Sequence, residues 1–310
     1  MQTYILDIQK MSTEDGPGIR TTVFFKGCNL NCKWCHNPES ISLGQHIFWL
    51  EDRCMGCHTC IKICPNNAIS MKSDGITIDQ KLCDFCNKCV EECPTNALEI
   101  KGEVISVSNL VNELMKDKAY YDTSGGGITL SGGEVALNWQ YALELLKQLK
   151  IKGVHTAIDT AGNYPYSILE SLLPFTDLIL YDIKHIDNAK HKKLTGVENN
   201  LILQNAKNIG KLEKTKIWVR TPIIPDSTDS EDNIIGIANF IKENMPNIER
   251  WELISFNNLG KQKYKLLGRD WAYKDCPLIT KEKMQRLSSL AKEITNKAMW
   301  SGATKLEVKL

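Results

Sequence analysis

The chain has 310 residues, with 38 Lys and Arg against 37 Asp and Glu, a formal net charge of +1, 42% hydrophobic residues and 12 cysteines. A near-neutral chain with no basic run and no acidic tail gives no footing for nucleic acid. No apolar run reaches the roughly 18 residues of a membrane span, and MQTYILDIQK lacks the basic-then-apolar order of a secretory signal, so the expectation is a cytoplasmic protein with no membrane partner and a sizeable α/β core.

In chain order, the β-branched and aromatic run RTTVFFKG (20–27) predicts a buried strand. It leads into KGCNLNCKWCHNPES, where Cys28, Cys32 and Cys35 leave a four-thiolate centre one ligand short. The stretch 47–102 then repeats itself: CMGCHTCIKICPNNAISM and CDFCNKCVEECPTNALEI both read C-x2-C-x2-C-x3-C-P, the bacterial ferredoxin run. In that run three cysteines of a copy bind one cube and the fourth reaches the other. Cys54, Cys57, Cys60 and Cys93 are therefore expected on one 4Fe–4S cluster, and Cys83, Cys86, Cys89 and Cys64 on a second. Paired C-x2-C units also make four-cysteine zinc sites, but two complete copies of the longer run favour clusters. Eleven of the twelve cysteines lie between Cys28 and Cys93, a density that reads as metal ligation and not as a disulfide framework. Cys276 reads as an ordinary thiol.

Past this stretch, SVSNLVNELMKDKAYY (106–121) has helical spacing, with Ser106 or Ser108 as its N-cap. Strands are then expected at 127–133, 155–160, 177–184, 216–224 and 250–256, alternating with helices at 136–150, 166–174, 200–212 and 233–245 and a final helix at 281–298. Six βα units argue for a parallel sheet with right-handed crossovers. They are too few for an eight-unit barrel, and an open barrel and a doubly wound sheet both fit. Gly27–Cys28, Gly132–Gly133–Glu134, Asp159–Thr160, Asp182–Lys184, Arg220 and Asn257 all fall at strand carboxyl ends, the rim where such folds bind ligands.

Three thiolates can hold three corners of a 4Fe–4S cube and leave the fourth iron open to a small molecule, as catalytic zinc keeps an open position. The same three cysteines with His36 would also complete a zinc site. Glycines at a strand end let a backbone approach a ligand closely.

The C-x3-C-x2-C spacing, with Trp34 before the last cysteine, and the GGE of Gly132, Gly133 and Glu134 resemble the radical S-adenosylmethionine superfamily. EDGPGIRTTVFFKGC, CKWCHNPES, YYDTSGGGITLSGGE, AIDTAG, LYDIKHID, HKKLTGVENN and WVRTPIIP together resemble its glycyl-radical-enzyme activating enzymes. The resemblance implies an α/β fold, an incomplete (β/α)6 TIM-like barrel over 1–46 and 103–310, with a bacterial-ferredoxin-like two-cluster insert at 47–102. It implies three 4Fe–4S clusters, S-adenosylmethionine and a monovalent cation as cofactors. The implied partners are a glycyl radical enzyme, whose backbone glycine loses a hydrogen atom, and an electron donor such as flavodoxin or ferredoxin. Among the residues, it implies that the GGE backbone receives the cofactor's ammonium group. The D-x-K motif of Asp182, Ile183 and Lys184 lies next to the cofactor, as do Trp34 and His36. Asp159, Thr160 and Asp182 match the cation site. Asp15 and Arg220 match residues near the target glycine loop, although Arg220 alone also fits a surface salt bridge. Relatives carry a histidine where SFNNLGKQ has Asn257, which keeps hydrogen bonding but not a cationic form. Two alternatives stand beside this reading: a radical S-adenosylmethionine enzyme acting on a small molecule or peptide, and a ferredoxin-like electron carrier with a structural metal site. His46, His58, His155, His185 and His191 read as structural or surface residues, and WSGATKLEVKL matches no partner-specific pattern.

Overall fold

The computed structural model describes residues 2–73 and 75–305, so the end of the WSGATKLEVKL stretch lies outside the described residues. The chain opens with β1 (Ile5–Ser12) and β2 (Arg20–Phe25). The cysteine-rich stretch follows as β3 (His46–Trp49), α1 (Thr59–Ile63), β4 (Ile69–Lys72), β5 (Gly75–Ile78), α2 (Lys88–Glu91) and β6 (Leu98–Lys101). It forms two small antiparallel pairs, β3 with β6 and β4 with β5, apart from the main sheet. Each short helix begins one residue before the third cysteine of its run, so local cysteine spacing and local turn coincide.

Next come α3 (Val107–Met115) and α4 (Lys118–Ser124), where the sequence suggested one helix. Ser106 caps α3 by accepting from Asn109 N–H at 3.3 Å, and the chain breaks at Lys116–Asp117 before α4 starts. The alternating region then runs β7 (Gly127–Gly132), α5 (Trp139–Ile151), β8 (His155–Thr160), α6 (Tyr166–Leu172) and β9 (Leu178–Asp182). It continues through α7 (Asn188–Thr195), α8 (Asn200–Ile209), β10 (Lys216–Ile223), α9 (Glu231–Asn244) and β11 (Arg250–Ser255), and closes with α10 (Lys261–Leu266), α11 (Lys281–Ile294) and β12 (Ala298–Ser301).

The main sheet has eight strands in the order β1-β2-β7-β8-β9-β10-β11-β12. Only the β1–β2 pairing is antiparallel; the other pairings are parallel. The six strands read from the sequence are all present and adjacent in sequence order, and the two edge strands extend them. This is an α/β fold with a parallel sheet that does not close on itself, consistent with a partial TIM-like barrel. Strands β2, β7 and β9 are buried almost throughout, as expected when both faces are covered.

Side-chain alternation along the strands sorts the faces. Outward-facing Val23, Ile128, Leu130 and Ile158 pack with Leu110, Leu145 and Leu149 of α3 and α5. Ile179, Val219 and Leu253 pack with Ile202, Ile237 and Leu287 of α8, α9 and α11. On the other face a small cluster of Ala157, Leu178, Leu180 and Trp218 fills the space near the strand starts. Two residues further along the same strands, that face turns polar at Asp159, Asp182 and Arg220. The apolar plug therefore ends where the cavity begins. Among the described residues no helix is long and apolar enough to cross a membrane.

Candidate active site

The carboxyl ends of the parallel strands border an open cavity of about 1120 Å³, counted out to solvent. It is lined by Cys28, Cys32 and Cys35, by Trp34 and His36, by Gly132, Gly133 and Glu134, and by Asp159, Thr160, Asp182, Lys184, Arg220 and Asn257. The sheet thus gathers at one mouth residues that the sequence spreads over more than two hundred positions. Ile183 is buried in the core behind it, and Asp15 is not in the lining.

The cysteine loop leaves β2 at Gly27, and Gly132 and Gly133 meet it from β7. Gly132 has φ +107°, and a Cβ there would lie 2.3 Å from Phe25 N. A Cβ at Gly133 would lie 2.0 Å from the Gly27 carbonyl oxygen. The two glycines are thus required by the close approach of β7 to the base of the cysteine loop, in addition to any approach by a ligand. Burial pushes the Cys28 and Cys32 thiols up to about 12 and Cys35 up to about 11. Such thiols hold their protons at neutral pH unless a cation replaces them. Lys184 is the positive charge that acts on all three.

Glu134, 1% exposed, ties two strands together. Its Oε1 accepts from Thr160 Oγ1 at 2.8 Å and Ala136 N–H at 3.3 Å, and its Oε2 accepts from Ala161 N–H at 3.0 Å. Burial outweighs these donors and pushes its carboxyl up to about 7.

In-register pairing of β9, β10 and β11 sets Asp182, Arg220 and Glu252 side by side. Arg220 is 6% exposed, which excludes the surface salt-bridge reading. Its guanidinium lies 3.3 Å from Glu252 Oε2, 3.8 Å from Asp159 Oδ2 and 4.0 Å from Asp15 Oδ1, and it donates to the Glu14 carbonyl. Burial opposes its charge, but Asp159, Glu252 and Asp15 more than offset this and raise its pKa. Burial likewise holds the Asp159 carboxyl above the usual carboxylate range. Asp182 pairs with Lys184. Burial alone would lower the Lys184 ammonium, yet Asp182 and Cys32 hold it above its ordinary value. The two acids of the expected cation site thus already face two protein cations.

Asp15 accepts from Ser12 Oγ at 2.6 Å and Thr22 Oγ1 at 2.7 Å. Through Arg220 it is joined to the cavity from the side of β1 and β2. His36 does not behave as a free fourth ligand: its Nε2 donates to the Asn257 carbonyl at 2.7 Å, and its ring stacks on Phe256. The Asn257 side chain accepts from Leu259 N–H at 3.1 Å, so both its amide oxygen and its carbonyl shape the local turn.

The cysteine-rich stretch holds two smaller cavities. One, of about 370 Å³, is lined by Cys54, Cys57, Cys60 and Cys93. The other, of about 270 Å³, is lined by Cys64, Cys83, Cys86 and Cys89. Each takes three cysteines from one copy of the repeat and the fourth from the other. Among the described residues no three His, Cys, Asp or Glu side chains crowd together as around a single metal ion; the cysteines stand around open volumes instead.

Residues 22–237 match the family model of the Radical SAM superfamily. The chain is 41% identical to the trans-4-hydroxy-L-proline dehydratase activating enzyme of Clostridioides difficile, over 94% of this chain and 96% of that protein. It is 35% identical to the pyruvate formate-lyase-activating enzyme of Clostridium pasteurianum, over 94% of this chain and 97% of that one. In structure it is similar to a radical SAM methyltransferase from Sphaerobacter thermophilus, with TM-score 0.55 over 96% of this chain and 76% of that chain at 11% identity, a likeness of fold alone.

Proposed function

The chain belongs to the radical SAM superfamily, among the activating enzymes of glycyl radical enzymes, and from that membership we propose how its own residues serve the reaction. The enzyme activates a glycyl radical enzyme. Its 4Fe–4S cube and S-adenosylmethionine, when bound, supply the one-electron cleavage that gives a 5′-deoxyadenosyl radical and removes a hydrogen atom from a backbone glycine of the partner. The observation that carries the assignment to this cavity is the meeting of Cys28, Cys32 and Cys35 with Gly132–Glu134, Asp159 and Lys184 around one opening.

In this proposal the three cysteines hold the cube and leave one iron free. The donor set fits: three cysteines border one opening, and Lys184 favours the thiolate form that a metal ligand needs, against the burial that opposes it. The Gly132–Gly133 backbone borders the cofactor, and Glu134 fixes that backbone to β8 through Thr160 and Ala161. Trp34 and His36 wall the side of the cavity next to Cys35, and Asp182 aims Lys184. Asp15 and Arg220 form a rigid charged edge for the partner's glycine loop, held by Asp159 and Glu252. A monovalent cation at Asp159, Thr160 and Asp182 belongs to the same proposal, with Lys184 the competing counter-charge for Asp182.

We further propose that 47–102 is a ferredoxin-like insert with two 4Fe–4S clusters, relaying electrons from a donor such as flavodoxin or ferredoxin. The two four-cysteine cavities, each completed by a cysteine from the other copy, support it. The partial (β/α)6 barrel over 1–46 and 103–310 is part of this reading.

The experiment is anaerobic reconstitution with iron and sulfide, followed by reduction and addition of S-adenosylmethionine and a glycyl radical enzyme. 5′-Deoxyadenosine and a glycine-centred spin signal on the partner are expected. Cluster-loaded, fully reduced protein that releases no 5′-deoxyadenosine overturns the proposal.

A further inference from the structure

The loop that carries Cys28, Cys32 and Cys35 has no strand or helix of its own between β2 and the short turn at Pro38–Ser40. Something outside it must fix where the thiols point. Its first half is held by the end of α7: Asn31 N–H donates to the Thr195 carbonyl at 2.7 Å, and Lys33 N–H to the Leu194 carbonyl at 3.1 Å. Its second half is held by a segment that carries no cysteine and in which the sequence marked only Asn257.

That segment runs from Asn257 through α10 to Trp271. Besides the His36–Asn257 bond already described, Lys263 Nζ donates to Asn37 Oδ1 at 2.5 Å and pairs with Glu39 Oε1 at 2.7 Å. Trp271 Nε1 donates to the Lys33 carbonyl at 3.0 Å. The indole is 2% exposed, stacks on Tyr264 at 5.1 Å and 10°, and meets His36 edge-on at 6.1 Å. Packing therefore aims its N–H at the Lys33 carbonyl, one of the two between Cys32 and Cys35. A centre with three protein ligands is restrained by one bond fewer than a saturated one, so surrounding hydrogen bonds carry more of its placement.

We propose that residues 257–271 are a strap that orients the three-cysteine loop, and that Trp271 is its positioning residue for the cube. The inference rests on the reading of the triad as a cube site. Trp271 fixes the Lys33 peptide and so the relative aim of Cys32 and Cys35; Lys263 fixes the chain just beyond Cys35. Neither residue lines the cavity.

The test uses the full chain with all its iron loaded. Trp271→Phe keeps an aromatic ring beside Tyr264 but removes the N–H together with part of the buried indole; Lys263→Met, in a half-exposed residue, breaks the second tie without opening the core. Both are compared with wild type by the rate of iron loss to a chelator, by the spin-resonance signal of reduced protein with S-adenosylmethionine, and by thermal unfolding. Trp271→Phe is expected to lose the cofactor-responsive iron roughly tenfold faster and to shift or broaden that signal, with unchanged loss of the remaining iron, while the smaller ring lowers the unfolding midpoint. Lys263→Met is expected to move both readouts in the same direction by less. Wild-type rates and signals in both variants overturn the inference, and if Trp271→Phe does not fold, Lys263→Met decides it alone. A wild-type protein without cofactor-responsive iron defeats the underlying cube reading instead.

Discussion

Arg220 holds its Nη1 3.8 Å from Asp159 Oδ2, at the boundary between the apolar plug of the sheet and its open rim. The arginine also serves Glu252, Asp15 and the Glu14 carbonyl, so one guanidinium faces three acids, of which Glu252 also pairs with Arg250 at 2.8 Å. Its planar fork reaches several partners at once, which a lysine cannot do. Arg220→Ala is expected to cost about 3–5 kcal/mol of stability, because it leaves buried carboxylates unpaired. Arg220→Lys is expected to cost roughly 1–3 kcal/mol. Urea unfolding measures both; a loss under about 1 kcal/mol for the alanine variant would place Arg220 with ordinary surface pairs.

Glu134 makes a second prediction. The residue accepts three hydrogen bonds, and Glu134→Gln turns one acceptor into a donor that meets another donor. The cost falls on the backbone of Gly132 and Gly133, which borders the cofactor in the proposal. S-Adenosylmethionine affinity is expected to drop roughly tenfold, about one charge-assisted hydrogen bond, with iron content retained. Equal affinity in a folded variant would mean that the tie serves stability only.

At the opposite end of the sheet, Arg20 links pH to the loop that carries Asp15. Arg20 is buried and donates to Thr129 Oγ1 at 2.7 Å, the Ile128 carbonyl at 2.7 Å and the Pro17 carbonyl at 3.3 Å. His155 Nδ1 faces it at 3.3 Å and accepts, with Asp177, Lys150 and Lys216 the other charges acting on the ring. Burial, then Arg20, lowers the His155 pKa. A depressed folded-state value means that the contribution is present above the ordinary histidine pKa of about 6.5 and is lost as pH falls through the folded value. Thermal stability is therefore expected to decline below about pH 6.5. His155→Gln, which keeps an acceptor without the titration, should lessen that decline, to which His36, His46, His185 and His191, also lowered by burial, contribute as well, and an unaltered pH profile would count against this link.

The cysteine-rich stretch gives a fourth prediction. Cys54→Ser and Cys83→Ser each remove a ligand from one of the two four-cysteine cavities. Each is expected to lower iron from about twelve to about eight per chain, to slow reduction of the N-terminal cube and to leave S-adenosylmethionine binding intact. Unchanged reduction kinetics would remove the relay role, and loss of folding would make the stretch a structural support.

What the sequence disclosed follows the range of the interactions. The two groups of four cysteines are legible because cysteine spacing is local, and the inner strands because burial of both faces leaves unbroken apolar runs such as VFF and LILY. Edge strand β1 escaped notice because its outward positions are polar and half-exposed. α7, NAKHKKLT, buries only His191 and Thr195, and α10 buries only Tyr264, so neither shows an apolar stripe. The final helix ends at Ile294, short of the expected 298, because the chain turns at 295–297 into β12, a four-residue strand. Trp271 and Lys33, separated by 238 positions, left no local signal at all. Arg220 was visible as a strand-end residue, but its burial among three acids emerged only from the parallel register of β9, β10 and β11.

The proposal of an open iron at Cys28, Cys32 and Cys35 is tested most directly by electron spin resonance of anaerobic, reduced protein before and after S-adenosylmethionine, in wild type and in the Cys54→Ser and Cys83→Ser variants. One four-iron signal should change on addition of the cofactor and should persist in both variants. A signal indifferent to the cofactor, or zinc in place of iron at the triad, would contradict it.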